Sequence, residues 1–307
     1  MEPEVSRQSR AQPSRLVTDL VRAARPRQWL KNLLIAAVPL AAGRVGDVDL
    51  LVPVLLTIGV WCLASSSVYL FNDVFDVERD RANPARSHRP IAAGDISIST
   101  AILTSLILLI VAIPAAWFAI NARSAVLLCA YVGMQFLYSA RLKNEPVFEL
   151  AIVASGFVLR TIAGGLATDL ELSPWFLLVA IFGAFFMVSG KRYSEFQATE
   201  RFGHDARPYS TVLERYSSSF LRFVWTVSAA ITILTYALWA IEGHSGVRPW
   251  WIASSIVPMT LGMLRYAITV DAGQAGDPED VVLGDKLLLL IGAAFVGFVA
   301  FGMTDVG

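Results

Sequence analysis

The segment from Asn72 to Asp80 has the residue types and spacing that most directly suggest chemistry. On a helix, where neighbouring residues differ by about 100°, the side chains of Asn72, Asp73, Asp76 and Asp80 fall within one arc. Three carboxylates that face one point repel one another, and a cation relieves that repulsion. Oxygen ligands without Cys or His favour Mg²⁺, which bridges protein carboxylates to a substrate phosphate. The alternative interpretation of the segment is a solvated acidic helix end.

The composition indicates what kind of protein positions this segment. Of the 307 residues, 55% are hydrophobic and only 16% are charged, which is typical of a polytopic membrane protein and far from a water-soluble domain. Nine apolar runs predict membrane-spanning helices. They cover residues 29–42, 51–72, 98–119, 122–140, 146–168, 174–190, 219–241, 249–270 and 286–303. The predicted fold class is therefore an all-α bundle of nine transmembrane helices.

The distribution of basic residues predicts the orientation of this bundle. With nine spans, 21 of the 25 Lys and Arg residues fall on the side of the N-terminus and three on the other side. Basic residues concentrate on the cytoplasmic side of membranes. We therefore expect a multi-pass protein of the inner (plasma) membrane with a cytoplasmic N-terminus and a C-terminus outside. The acidic segment then lies at the cytoplasmic mouth of the bundle, which is the expected position of the active site.

This pattern divides the chain into three predicted parts. Residues 1–14, rich in Ser, Arg, Gln and Pro, are expected to form a disordered tail. Residues 15–28 place Leu and Val at helical spacing among arginines, which predicts an amphipathic helix lying on the membrane surface. Residues 29–303 are the predicted transmembrane catalytic domain.

Several segments on the cytoplasmic side resemble one known family. The pattern Asn-Asp-x-x-Asp-x-x-x-Asp, followed by Arg-Pro-Ile-Ala-Ala-Gly at 89–94, resembles the first aspartate-rich motif of the UbiA-type membrane prenyltransferases. Residues 25–32 and 138–143 resemble further segments of that family. The resemblance implies a nine-helix bundle in which metal ions stabilise a diphosphate leaving group. It implies Mg²⁺ ligation by Asn72, Asp73, Asp76 and Asp80, with Asp73 and Asp76 as the leading catalytic candidates.

The second acidic motif of that family, Asp-x-x-x-Asp, is replaced here by the run from Lys191 to Glu195. One interpretation of this run is an ordinary ion pair one helical turn apart. The other is a donor with a diphosphate and a separate phosphomonoester, which needs metal at one end and cations at the other. Phosphoribosyl pyrophosphate has that distribution of charge. Residues 160–165, 190–195, 221–226 and 271–280 resemble the branch of the family that transfers phosphoribose to decaprenyl phosphate in mycobacterial-type cell-wall arabinan synthesis.

The resemblance to this branch implies roles for individual side chains. Lys191, as a catalytic residue, and Arg192 would hold the 5-phosphate, while Tyr193 and Glu195 would orient the sugar. The remaining substrate-binding candidates are Asn72, Lys31, Tyr138, Lys143 and Arg160, and the three basic residues among them are candidates for contact with pyrophosphate or lipid phosphate.

Alternatives for some of these residues stay open. Lys31 and Lys143 could be anchors at helix ends, with long stems in the apolar layer and the charge in water. Arg160 is a costly charge inside a predicted span and could pair with a buried acid. The acidic segment 271–280 could be a solvated turn, a lid or a ligand for the ribose hydroxyls.

The predicted function is transfer of 5-phosphoribose from phosphoribosyl pyrophosphate to a polyprenyl, and specifically decaprenyl, phosphate, with Mg²⁺ as cofactor. The expected partners are these two substrates and the membrane, with no nucleic acid, and self-association into a homo-oligomer is left open. One rival is a prenyltransferase that moves an isoprenoid from its diphosphate to an aromatic acceptor; the basic second motif argues against it. A rival of another class is a non-catalytic membrane transporter that binds a cation or a lipid.

Overall fold

The computed structural model describes residues 13–44, 46–202, 211–242, 248–276 and 278–303, and all regular structure within these ranges is helical. The predicted disordered tail, 1–14, lies outside the described residues except for its last two positions. The α-helices are α1 (Pro13–Ala23), α2 (Ala37–Ala41), α3 (Val48–Phe75), α4 (Val77–Ala82), α5 (Pro90–Ala93), α6 (Ile98–Ala115), α7 (Ala122–Ala140), α8 (Phe148–Thr168), α9 (Pro174–Phe202), α10 (Ser218–Glu242), α11 (Pro249–Ser254), α12 (Ile256–Asp271), α13 (Pro278–Gly284) and α14 (Lys286–Met303).

Shorter helical segments of other types connect these elements. Three are 3₁₀ helices, at Pro26–Ala36, Leu142–Asn144 and Thr211–Arg215, and a π-helical turn at Ala116–Ile120 extends α6. The first of them, Pro26–Ala36, is called the entry helix below.

Seven helical stretches of the described chain are long and apolar enough to cross a membrane, as expected for a multi-pass membrane protein. They are Val48–Phe75, Ile98–Ile120, Phe148–Thr168, Pro174–Arg201, Ser218–Glu242, Pro249–Asp271 and Lys286–Met303. Each coincides with one of the nine predicted spans. The predicted fourth span coincides with α7, a 19-residue helix that is not among the seven. The nine-span count therefore stays a prediction.

The start of the chain differs most from expectation. The amphipathic helix predicted over 15–28 ends at Ala23, and Arg25 has a left-handed backbone with φ of 54°. Pro26 explains the break, because a proline disfavours the α conformation of the residue before it. The run 29–42, predicted as a single span, is instead the entry helix followed by the five residues of α2.

Helix α8 lies between two apolar cores. Its Leu150 and Ala154 pack with α9, α10 and α12, while its Ala163 packs with α3, α6 and α7. A third cluster joins α1, α3, α4 and α5 through Ala23, Leu70 and neighbouring residues. This third cluster fixes the helical segments that carry the acidic motif.

The entry helix approaches α8 at Gly164 more closely than any side chain would permit. A Cβ atom on Gly164 would lie 2.2 Å from the backbone oxygen of Ile35. Because Gly164 has no side chain, the entry helix can pack this closely against α8.

An apolar cavity of about 750 Å³ opens beside the entry helix. Its walls come from the entry helix, α2, α8, α9, α10, α12, α13 and α14. Lys31 is the only charged side chain among the described residues that line it.

We expect Gly164→Ala to destabilise the protein by about 1–3 kcal/mol, because the added methyl group overpacks a rigid backbone contact. Gly133→Ala is the matched control, since a Cβ at Gly133 in α7 meets nothing within 4 Å, and alanine favours the helix by about 1 kcal/mol. Thermal unfolding in detergent measures both. Equal melting temperatures for the two variants would contradict the proposed seating of the entry helix.

Candidate active site

The three aspartates of the acidic motif lie where α3 gives way to α4. Asp73 is in the last turn of α3, Asp76 stands between the two helices, and Asp80 is inside α4. All three are buried, with Asp73 3% exposed and Asp80 fully buried. Buried carboxylates require compensating charge or hydrogen bonds.

Basic side chains from four parts of the chain supply that charge. Arg89 bridges two aspartates, with Nη1 2.7 Å from an Asp80 oxygen and 3.2 Å from Asp73 Oδ1. The remaining ion pairs are Arg25 with Asp73, Lys143 with Asp76, Arg79 with Asp76 at 3.5 Å, and Arg86 with Asp80 at 3.7 Å. The predicted residue Lys143 thus joins the acidic motif. Arg25 and Arg89 lay in the segments that resembled the family, but no role was predicted for either.

Two acceptor oxygens of the motif accept no hydrogen bond. Asn72 Oδ1 and Asp80 Oδ1 are buried without a hydrogen-bond partner, and so is the donor Nε of Arg86. Burial and the neighbouring Arg89 lower the pKa of Arg86. Asn72 Oδ1 has no hydrogen-bond partner and Asp80 Oδ1 faces Arg86 Nη1 only at 3.7 Å, and both oxygens fit a cation ligand set. Yet no three His, Cys, Asp or Glu side chains of the described residues converge on one point, because each aspartate faces a basic partner.

The basic second motif lies on α9 and is tied to α8 by a buried ion pair. Arg192 donates from Nε and Nη2 to the two carboxylate oxygens of Glu149, both at 2.9 Å, and from Nη1 to Glu195 at 2.7 Å. Glu149, in the first turn of α8, is fully buried. No role was predicted for Glu149 from the sequence, although an acidic residue at the start of an apolar run is a recognisable signal.

Tyr138 lies within range of the charges of both motifs. Its side chain interacts electrostatically with Asp76 of the acidic motif and with Glu149, Arg192 and Glu195 of the other group. Arg86 likewise interacts with Glu195 as well as with Asp80. The structure therefore brings the acidic motif and the basic motif together at one end of the bundle.

Tyr193 points into the packing between α9 and α10. Its ring stacks on Trp225 at 5.6 Å and 8°, and its hydroxyl accepts from Arg222 at 2.6 Å and from Gln197 at 2.9 Å. The Tyr193 side chain is fully buried. The contact with the sugar predicted for Tyr193 finds no support in this geometry.

Arg160 lies inside the bundle and is 4% exposed. It donates to Asn32 Oδ1 at 2.7 Å, to the Gly156 backbone oxygen at 2.6 Å and to the Tyr131 hydroxyl at 3.3 Å. Its guanidinium also lies 5.4 Å from the centre of the Trp61 ring. No carboxylate of the described residues lies within ion-pair distance, so the expected acidic partner is not found among them.

The acidic segment 271–280 is described except for residue 277. Asp271 Oδ1 lies 3.4 Å from the Tyr193 hydroxyl, and Asp280 lies 4.0 Å from Arg27 of the entry helix. Helix α13 follows and contributes to the cavity wall.

Known proteins resemble this chain in sequence and in fold. The model of the UbiA prenyltransferase family matches residues 32–290. The chain belongs to the UbiA prenyltransferase family. A UbiA homologue from Archaeoglobus fulgidus, solved with DMAPP and Mg²⁺ bound, superposes with a TM-score of 0.68 at 22% identity, covering 92% of this chain and 97% of that one. This likeness confirms the fold.

Two relatives in the family have a more specific name. The decaprenyl-phosphate phosphoribosyltransferase of Mycobacterium tuberculosis is 44% identical over 300 residues, which cover 94% of this chain and 97% of that protein. The Corynebacterium glutamicum protein of the same name is 41% identical over 292 residues, covering 94% and 87%.

We expect Arg192→Met to destabilise the protein by about 3–5 kcal/mol, because it leaves Glu149 as an unpaired buried charge. The double variant Arg192→Met with Glu149→Leu should recover part of that loss, since it removes the buried charge of Glu149 while Glu195 still lacks its Arg192 partner. Thermal unfolding in detergent of the three proteins checks this. A single variant as stable as the parent would contradict the structural role of the pair.

Proposed function

We propose that this protein transfers 5-phosphoribose from phosphoribosyl pyrophosphate to a polyprenyl phosphate and releases pyrophosphate. The observation that carries the proposal is the identity of 41–44%, over about 94% of the chain, to proteins named decaprenyl-phosphate phosphoribosyltransferase. The site supports it with an acidic motif and a basic motif that meet around Tyr138.

The acidic motif is the proposed site for Mg²⁺ and the diphosphate. Asn72, Asp73, Asp76 and Asp80 would hold the ion, and the two buried oxygens that accept no hydrogen bond, Asn72 Oδ1 and Asp80 Oδ1, support this assignment. When bound, Mg²⁺ neutralises the charge that builds up on the departing pyrophosphate. Arg25, Arg89 and Lys143, which pair with the aspartates, would contact the diphosphate.

The basic motif is the proposed site for the 5-phosphate. Lys191 is adjacent to Arg192 on α9 and would meet the phosphate as a mobile point charge. Arg192 already gives three hydrogen bonds to Glu149 and Glu195. We therefore propose that Arg192 holds Glu195 in position to bind the sugar hydroxyls. Lys191 is the residue that we assign to the contact with the 5-phosphate.

The apolar cavity is the proposed site for the lipid chain. Lys31, the one charged side chain among the described residues that line it, would contact the lipid phosphate. That phosphate is already anionic, so its oxygen can attack the anomeric carbon without a general base. The new carbon–oxygen bond forms as the bond to pyrophosphate breaks and the pyrophosphate keeps the electron pair. Correct placement of both substrates is the main contribution of the protein.

The proposed membrane arrangement has nine spans, with the entry helix together with α2 and α7 completing the seven apolar helices. The two motifs then face the cytoplasm, and the C-terminus lies outside the inner (plasma) membrane. The concentration of basic residues near the motifs supports this orientation.

Incubation of the purified protein with labelled phosphoribosyl pyrophosphate, decaprenyl phosphate and Mg²⁺ tests the function. We expect a labelled lipid product and one pyrophosphate released for each product. A parallel reaction with geranyl diphosphate and an aromatic acceptor tests the rival prenyl transfer. Formation of a prenylated acceptor without labelled lipid would overturn the proposal.

We expect Asp73→Asn to lower the rate by about 100-fold or more, because a ligand for the ion and a charge at the leaving group are lost. The matched control is Asp95→Asn, since Asp95 is exposed and has no ion pair among the described residues. Initial rates at several Mg²⁺ concentrations compare the variants. Equal losses for both would count against the assignment of Asp73.

A further inference from the structure

The entry helix has an unusual geometry for its length. It runs for 11 residues as a 3₁₀ helix, whereas 3₁₀ segments rarely exceed three or four residues. Such a helix has three residues per turn, so side chains three positions apart lie on one line. Contacts with other helices must maintain this geometry, because the isolated backbone favours the α form.

One line of side chains anchors the entry helix. Trp29 Nε1 donates to Ser66 Oγ at 3.0 Å, and the fully buried Asn32 donates to Cys62 Sγ at 3.2 Å. Ile35, three residues further on, packs against Gly164. These positions share a line only at three residues per turn. In an α-helix each step of three would rotate them by about 60° relative to one another.

A second line faces the cavity. Lys31 and Leu34 line it, and Ala37 continues the same spacing into α2. Lys31 also contacts Gln28, one 3₁₀ turn earlier. The anchoring of Asn32 therefore determines where the neighbouring Lys31 points.

Arg160 is the charged residue that holds Asn32. Its Nε donates to Asn32 Oδ1 at 2.7 Å, and its other donors bind the Gly156 backbone oxygen and Tyr131. Arg160 does not line the cavity. A buried guanidinium without a carboxylate partner is expensive to place inside a bundle, and its contacts all serve the protein itself.

We infer that Arg160 is a positioning residue: through Asn32 it holds the entry helix in its threefold register and so directs Lys31 toward the phosphate of a lipid bound in the cavity. This inference rests on the proposed function for the role of Lys31. It assigns Arg160 an indirect role in place of contact with a substrate phosphate.

Binding of farnesyl phosphate, with farnesol as its uncharged analogue, tests the inference without requiring turnover. Lys31→Met and Asn32→Ala should each weaken farnesyl phosphate binding by about tenfold, since each removes or misplaces one charge contact. Farnesol binding should stay within about twofold of the parent, because the apolar cavity is unchanged. This pair of ligands separates a misdirected lysine from a collapsed cavity.

The double variant Lys31→Met with Asn32→Ala provides the decisive comparison. If Asn32 acts by directing Lys31, adding Asn32→Ala to Lys31→Met should weaken farnesyl phosphate binding by less than about twofold. If the two substitutions weaken farnesyl phosphate binding independently, so that their effects on the binding free energy add in full, the inference is overturned. Unchanged farnesyl phosphate binding in Lys31→Met would also overturn it.

Arg160→Lys keeps the charge but loses the planar arrangement of donors, so it should match Asn32→Ala. Parental affinity for farnesyl phosphate in Arg160→Lys would instead show that charge alone matters and would overturn the positioning role. Failure of the proposed function is distinguishable, because it appears as missing labelled lipid in the unmodified protein.

Discussion

Neutralisation of the buried aspartates is the interaction on which the site depends. Asp73, Asp76 and Asp80 lie at the end of an apolar bundle, where unpaired carboxylates would be strongly unfavourable. Their partners come from the start of the entry helix, the segment before α5 and the segment after α7. These charge pairs draw distant parts of the chain to one point. They also place cations beside the carboxylates, which is where the proposed function puts the diphosphate of the donor.

The interior of the bundle adds a second constraint, which concerns orientation. The close approach at Gly164 and the hydrogen bond from Arg160 to Asn32 seat the entry helix between α3 and α8. One face of that helix is thereby fixed, and a second face, one third of a turn away, carries Lys31, the one charged side chain among the described residues that line the cavity. The entry helix thus contributes both to the polar contacts around Asn32 and to the wall of the apolar cavity.

Much of this was predictable from the sequence, and the failures have physical causes. Averaged hydropathy located the seven apolar helices, and helical spacing located the acidic motif. Hydropathy does not distinguish 3₁₀ from α geometry, so the entry helix was predicted as an ordinary span. The partners Arg192 and Glu149 are 43 residues apart, and such pairs depend on tertiary packing that no local pattern reveals. The same holds for Arg160 and Asn32, and for the contacts of Tyr193 with Trp225 and Arg222.

The proposed function requires one site that binds a donor with a diphosphate and a separate phosphate. The most direct measurement is competition against labelled phosphoribosyl pyrophosphate bound to the protein in Mg²⁺. Ribose 5-phosphate is predicted to displace the label, and a Lys191→Met variant should lose most of that displacement while pyrophosphate still competes. Displacement by geranyl diphosphate but not by ribose 5-phosphate would contradict the account, since it would indicate a site built for a prenyl donor.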